Sequence, residues 1–123
     1  MLLTRELNIQ NLLRRAIAKN SISVTKDAFG TTLYSFTDEL GTSYKLEQTP
    51  VFIVNNITTY MYSIFLADYN IASAVISCNE KKLGRAEQII LEFFQLCSQR
   101  VIYQELQSDI HKIMLSDRSK AIN

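Results

Sequence analysis

A chain of 123 residues, 47% of them hydrophobic and 20% charged, is the size of one ordinary domain and needs no disulfide or metal staple to fold. The formal net charge of +1 is spread evenly, with six Lys/Arg against five Asp/Glu in residues 1–61 and seven against seven in residues 62–123. No like-charge block exceeds the pairs Arg14-Arg15 and Lys81-Lys82, so the sequence lacks the basic stripe used to bind duplex nucleic acid or an anionic membrane.

The first element is expected to be a helix. Thr4 suits an N-cap, and Leu7, Ile9, Leu13, Ala16 and Ile17 recur at helical spacing. Arg14, Arg15 and Lys19 fall in its last turns, where positive charge complements the carbonyl end of the helix dipole. Asn20-Ser21 ends it. Arg5 and Glu6 stand where the apolar core of a signal peptide would begin, so Cys78 and Cys97 are read as reduced thiols of a cytoplasmic protein.

After residue 20 the apolar period changes from 3.6 to 2. Ile22 and Val24 alternate with small polar residues over 21–26, Asp27-Ala28-Phe29-Gly30 carries turn chemistry, and 31–37 is the return strand. Asp38-Glu39-Leu40-Gly41 makes a second turn, and 42–47 is a third strand ending at Thr49-Pro50. Short strands joined by tight turns predict an antiparallel meander.

Residues 48–67 hold no charge and are about as long as a bilayer span. Pro50, Asn55, Asn56, Thr58, Thr59 and Ser63 suit sheet rather than a lipid-facing helix, so no membrane is expected. The run Val51-Phe52-Ile53-Val54 predicts a central buried strand, with a short helix over 51–60 as the competing assignment. A strand over 58–67 and another over 71–77 complete about five, joined through Asp68-Tyr69-Asn70.

Ser77-Cys78-Asn79-Glu80 has capping-box spacing and predicts that a long last helix begins at Asn79. Leu83, Ala86, Ile90, Phe93, Cys97 and Val101 form one stripe on it; Ile89, Leu96, Tyr103, Leu106, Ile110 and Ile113 extend the stripe as it winds. Unbroken, such a helix exceeds the width of a small domain, so a bend or break is expected between Ser98 and Arg100, with residues 116–123 as a frayed polar tail. The fold class is α+β: N-terminal helix, antiparallel sheet of about five strands, long C-terminal helix, one domain over 1–123 without internal repeats.

No catalytic, cofactor or metal motif is found. Cys97 and the lone His111 lie about 21 Å apart along a straight helix, too far for a nucleophile and its base. Two cysteines and one histidine without Cys-x-x-Cys fall short of a zinc site. The three glycines are isolated and make no phosphate loop. Asp38 and Glu39 are neighbours in a turn, and Glu80, Glu87 and Glu92 are offset around the helix, so neither set converges.

The layout resembles that of small secretion chaperones and other adaptors only loosely, and such chaperones are usually acidic, which this chain is not. The expectation is a non-enzymatic protein-binding module, adaptor, chaperone-like or inhibitor, that self-associates as a homodimer. Its interface would be the helix face Ile89, Phe93, Leu96, Arg100 and Tyr103, left over once the sheet takes Leu83, Ala86, Ile90 and Cys97. The alternative is a small nucleic-acid-associated regulator, with Arg5, Arg14, Arg15 and Lys19 meeting phosphates.

Overall fold

The computed structural model describes the backbone of residues 4–122 and the side chains of residues 9–116. Helix α1 (Thr4–Lys19) is followed by strands β1 (Ser23–Lys26), β2 (Thr32–Thr37), β3 (Ser43–Val54), β4 (Ile57–Leu66) and β5 (Tyr69–Ser77), and then by helix α2 (Arg85–Ile122). The strands pair in chain order, every neighbour antiparallel. This is the expected α+β architecture. The side chain of Thr4, read as an N-cap, lies outside the described residues.

Two copies of one local pattern, Asp-x-(Phe/Leu)-Gly-Thr, build the first two turns. Asp27 Oδ1 accepts from the amides of Phe29 (2.9 Å) and Thr31 (3.0 Å), and Asp38 Oδ1 accepts from Leu40 (2.9 Å) and Thr42 (2.9 Å). Gly30 and Gly41 take φ of 86° and 82°, which a Cβ would resist. The expectation of no repeat overlooked this five-residue one. The other two turns place Asn55-Asn56 and Ala67-Asp68 at positive φ, the conformation that matches the twist of a two-residue hairpin.

Strand β3 does not stop at Pro50. It runs through the proline to Val54, with a bulge between Pro50 and Phe52, and pairs with β4 up to Val54 and Ile57. The last β2 pair is Thr32 with Gln48, so Pro50 sits where β3 has a neighbour on one side only, a position that tolerates a missing N–H. Val51, Phe52, Ile53 and Val54 are strand, not helix. They are also 45–67% exposed rather than central and buried, because the hairpin tip extends past the other strands.

One face of the sheet carries the core. Phe36 stacks on Tyr44 across the β2–β3 ladder at 4.6 Å, and Leu46, Tyr62, Ile64 and Ile76 continue that face. Phe94 from α2 meets the edges of Tyr62 (5.0 Å) and Tyr34 (6.3 Å), while Leu13, Ala16 and Ile17 of α1 join the same cluster. Burial lifts the Cys97 thiol to about 12. Burial, then the hydrogen bond to Asp38, lifts the Tyr44 phenol to about 12.

Helix α2 starts at Arg85, six residues later than Asn79. Cys78 still donates to the carbonyl of Thr58, and Glu80 donates to that of Ser77, so the sheet and its closing turn hold the backbone where a capping box would need it. Lys81 and Lys82 would also oppose the dipole of a helix beginning there. Once started, α2 is continuous to Ile122: there is no break between Ser98 and Arg100, and helix also runs through the stretch expected to fray, with Asn123 outside the described residues. A straight helix of this length measures about 57 Å at 1.5 Å per residue.

Candidate interaction surface

The long helix is wider than the sheet beneath it. Its first turns, with Ala86 and Ile89, lie beside Ile71 and Ala72 of β5, Phe94 sits over β4 and β2, and Gln104 reaches the residue just before β1. Five strands spaced about 4.8 Å apart span only about 19 Å between the outermost two. Residues 105–116 therefore project past the β1 edge, and every one of their side chains is exposed.

The exit point is pinned by one side chain. Gln104 Oε1 accepts from the Ile22 amide at 2.8 Å, and Gln104 Nε2 donates to the Ile22 carbonyl at 2.9 Å. Arg100 Nε donates to the Asn20 carbonyl at 3.3 Å, and its guanidinium stacks 5.5 Å from the Tyr103 ring. The segment that links α1 to β1 is thus strapped to the last turns of α2 that the domain supports.

The expected interface residues separate into three environments. Phe93 is 3% exposed in the core, with Arg14 5.9 Å above its ring, so it is not on a free face. Ile89 is half-buried and lines an open apolar pocket of about 420 Å³ between α1, α2 and the β4–β5 edge. Leu96, Arg100 and Tyr103 line a shallow groove of about 300 Å³ between α1 and α2, with Arg14, Ile17, Ala18 and Gln99. The reason is α1, which lies alongside α2 and takes the face that spacing alone leaves free. Of the expected sheet contacts, Ile90 and Cys97 are buried, Leu83 is only half-buried against the core and Ala86 is exposed beside β5; Phe94 and Val101 complete the stripe on the core side.

The surface that does remain open is further along. Leu106, Ile110, Ile113, Met114 and Leu115 are 49–61% exposed on the projecting arm, and Ile102 (60%) and Tyr103 (49%) are exposed just before it. Leu96, Gln99, Tyr103, Leu106, Ile110 and Ile113 follow one another at alternating steps of three and four, the seam of a coiled coil. At about 100° per residue this seam lies opposite the stripe that faces the sheet. The spacing was readable in the sequence; which part of it stays uncovered was not. A second apolar group, Phe29 with Val51, Phe52, Ile53 and Val54, gathers at the end of the sheet formed by the β1–β2 turn and the β3–β4 tip.

The basic set is also divided. Arg14 forks onto Glu92, Nε to Oε1 at 3.0 Å and Nη2 to Oε2 at 3.1 Å, which raises the guanidinium pKa and holds the Glu92 carboxyl below its usual range. That pairing occupies the group proposed for phosphate. Arg15 and Lys19 are exposed, and the Arg5 side chain lies outside the described residues.

Among the described residues, no three or more His, Cys, Asp or Glu side chains come together to hold a metal ion, and no helix is long and apolar enough to cross a membrane. Cys97 is buried and His111 exposed on one continuous helix. No family model matches the chain, and no curated protein or solved structure matches it either.

Proposed function

We propose that this chain is a non-enzymatic, cytoplasmic protein-binding module that self-associates through the apolar face of α2, with Tyr103, Leu106, Ile110 and Ile113 at the centre of the contact. The observation that carries the reading is the projecting arm: a helix face apolar at seam spacing, left in water by its own domain. Burying apolar area is the main driving force of association, and large exposed apolar patches mark binding surfaces. Tyr103 under Arg100 adds the residue types enriched at interface hot spots.

Relative to the sequence expectation, the contact shifts one to two turns toward the C-terminus. Tyr103 stays within it, Leu96 and Arg100 lie at its margin, and Phe93 and Ile89 leave it. Light scattering after size exclusion tests the reading. The wild type is expected to run as a dimer. Leu106→Asp/Ile110→Asp is expected to run as a monomer with unchanged near-ultraviolet circular dichroism, since neither side chain belongs to the core. A monomeric wild type at tens of micromolar would refute self-association.

A further inference from the structure

The groove between α1 and α2 and the bare arm beyond Gln104 lie on one continuous seam. Leu96, Gln99 and Tyr103 floor the groove, and Leu106, Ile110 and Ile113 carry the same three-four spacing out along the arm. The groove is shallow and flanked on one side by α1, through Arg14, Ile17 and Ala18. A helix with no partner element of its own suits it, and the arm is one, since every described side chain over 105–116 is exposed.

We infer that the groove receives the arm of a second copy, the two α2 helices pairing antiparallel so that each arm lies in the other chain's groove. This rests on the self-association proposed above and adds its orientation and register. In a parallel pair, groove faces groove and arm faces arm, which leaves two hollows opposed and the α1 flanks without a partner. In the antiparallel pair, Leu96 meets Ile113 of the second copy, Gln99 meets Ile110 and Tyr103 meets Leu106, and each contact recurs by symmetry. Every seam residue finds another seam residue, and the alternating positions meet as antiparallel coiled coils require. The paired stretch is about 26 Å long at 1.5 Å per residue, short for two bare helices, and the α1 side chains widen it. A two-fold pairing of this kind is closed, so it ends at a dimer.

Oxidative cross-linking tests the register on the full chain, in a Cys78→Ser background with Cys97 left in the core. Gln99 and Ile110 are both exposed, so replacing them spares the fold. Gln99→Cys/Ile110→Cys is expected to become a covalent dimer in oxidant, while either single variant stays uncrosslinked because its thiols lie about 16 Å apart across the pair. A dimer in which Ile110→Cys alone crosslinks is parallel and overturns this inference while leaving self-association intact. A dimer in which the double variant does not crosslink overturns it equally. A wild type that is monomeric by light scattering overturns both.

Discussion

Gln104 binds the backbone of Ile22 twice, amide to amide, as a neighbouring strand would. One side chain thereby satisfies the edge of the sheet and fixes where α2 leaves the domain. Removing it strands a donor and an acceptor that are partly buried, and such groups are costly when unpaired. Gln104→Ala is expected to lower stability by about 1–3 kcal/mol, measured by urea denaturation. Gln104→Glu keeps the acceptor for the Ile22 amide and loses the donor, so it should fall between the wild type and alanine. A neutral Gln104→Ala would show that the strap is not formed.

Phe93 and Leu106 should respond in opposite ways, although both are large apolar residues of α2. Phe93→Ala empties a core position and is expected to cost about 3–5 kcal/mol. Leu106 is 55% exposed and lies outside the core cluster, so Leu106→Ala should change the chemical midpoint little once measured on the monomeric variant. If Phe93→Ala proved neutral, the packing of α1 over this part of α2 would be wrong.

Ala67 adopts φ of 50° in the β4–β5 turn, a left-handed conformation in which its Cβ crowds the backbone. Glycine and asparagine accept that region more readily. Ala67→Gly or Ala67→Asn is expected to raise stability by up to about 1 kcal/mol, seen as a higher thermal midpoint. A drop for both would mean that the turn takes another form.

The two thiols should differ by orders of magnitude in reactivity. Cys78 is exposed and Cys97 buried with its pKa near 12, so a thiol reagent should titrate one equivalent in the native protein and the second only on unfolding. The same burial predicts an alkaline limit. Cys97 and Tyr44 hold their protons more tightly folded than unfolded, against ordinary values of 9.0 and 10.0. Their contribution is therefore whole below those values and is lost as pH rises toward about 12. Thermal midpoints should fall from about pH 9 upward, and a flat profile to pH 11 would contradict the burial of both groups.

Periodicity alone determined the order of elements: a helix where Leu13, Ala16 and Ile17 recur at 3.6, strands where apolar residues alternate, and a long helix where no proline interrupts 38 residues. It determined the turns too, since Asp and Gly at fixed spacing act through bonds to their own backbone. Local chemistry misplaced the start of α2, because the ladder bond from Cys78 to Thr58 lies across the sheet and leaves no trace in the residues around Ser77. Spacing also shows that α2 is apolar on more than one side, but not which side is covered. That depends on α1 returning alongside α2 to bury Phe93 and fork Arg14 onto Glu92, a pairing across 78 positions. Which apolar residues become core and which form the open arm is decided by the width of the sheet, because α2 outruns the surface that five strands provide.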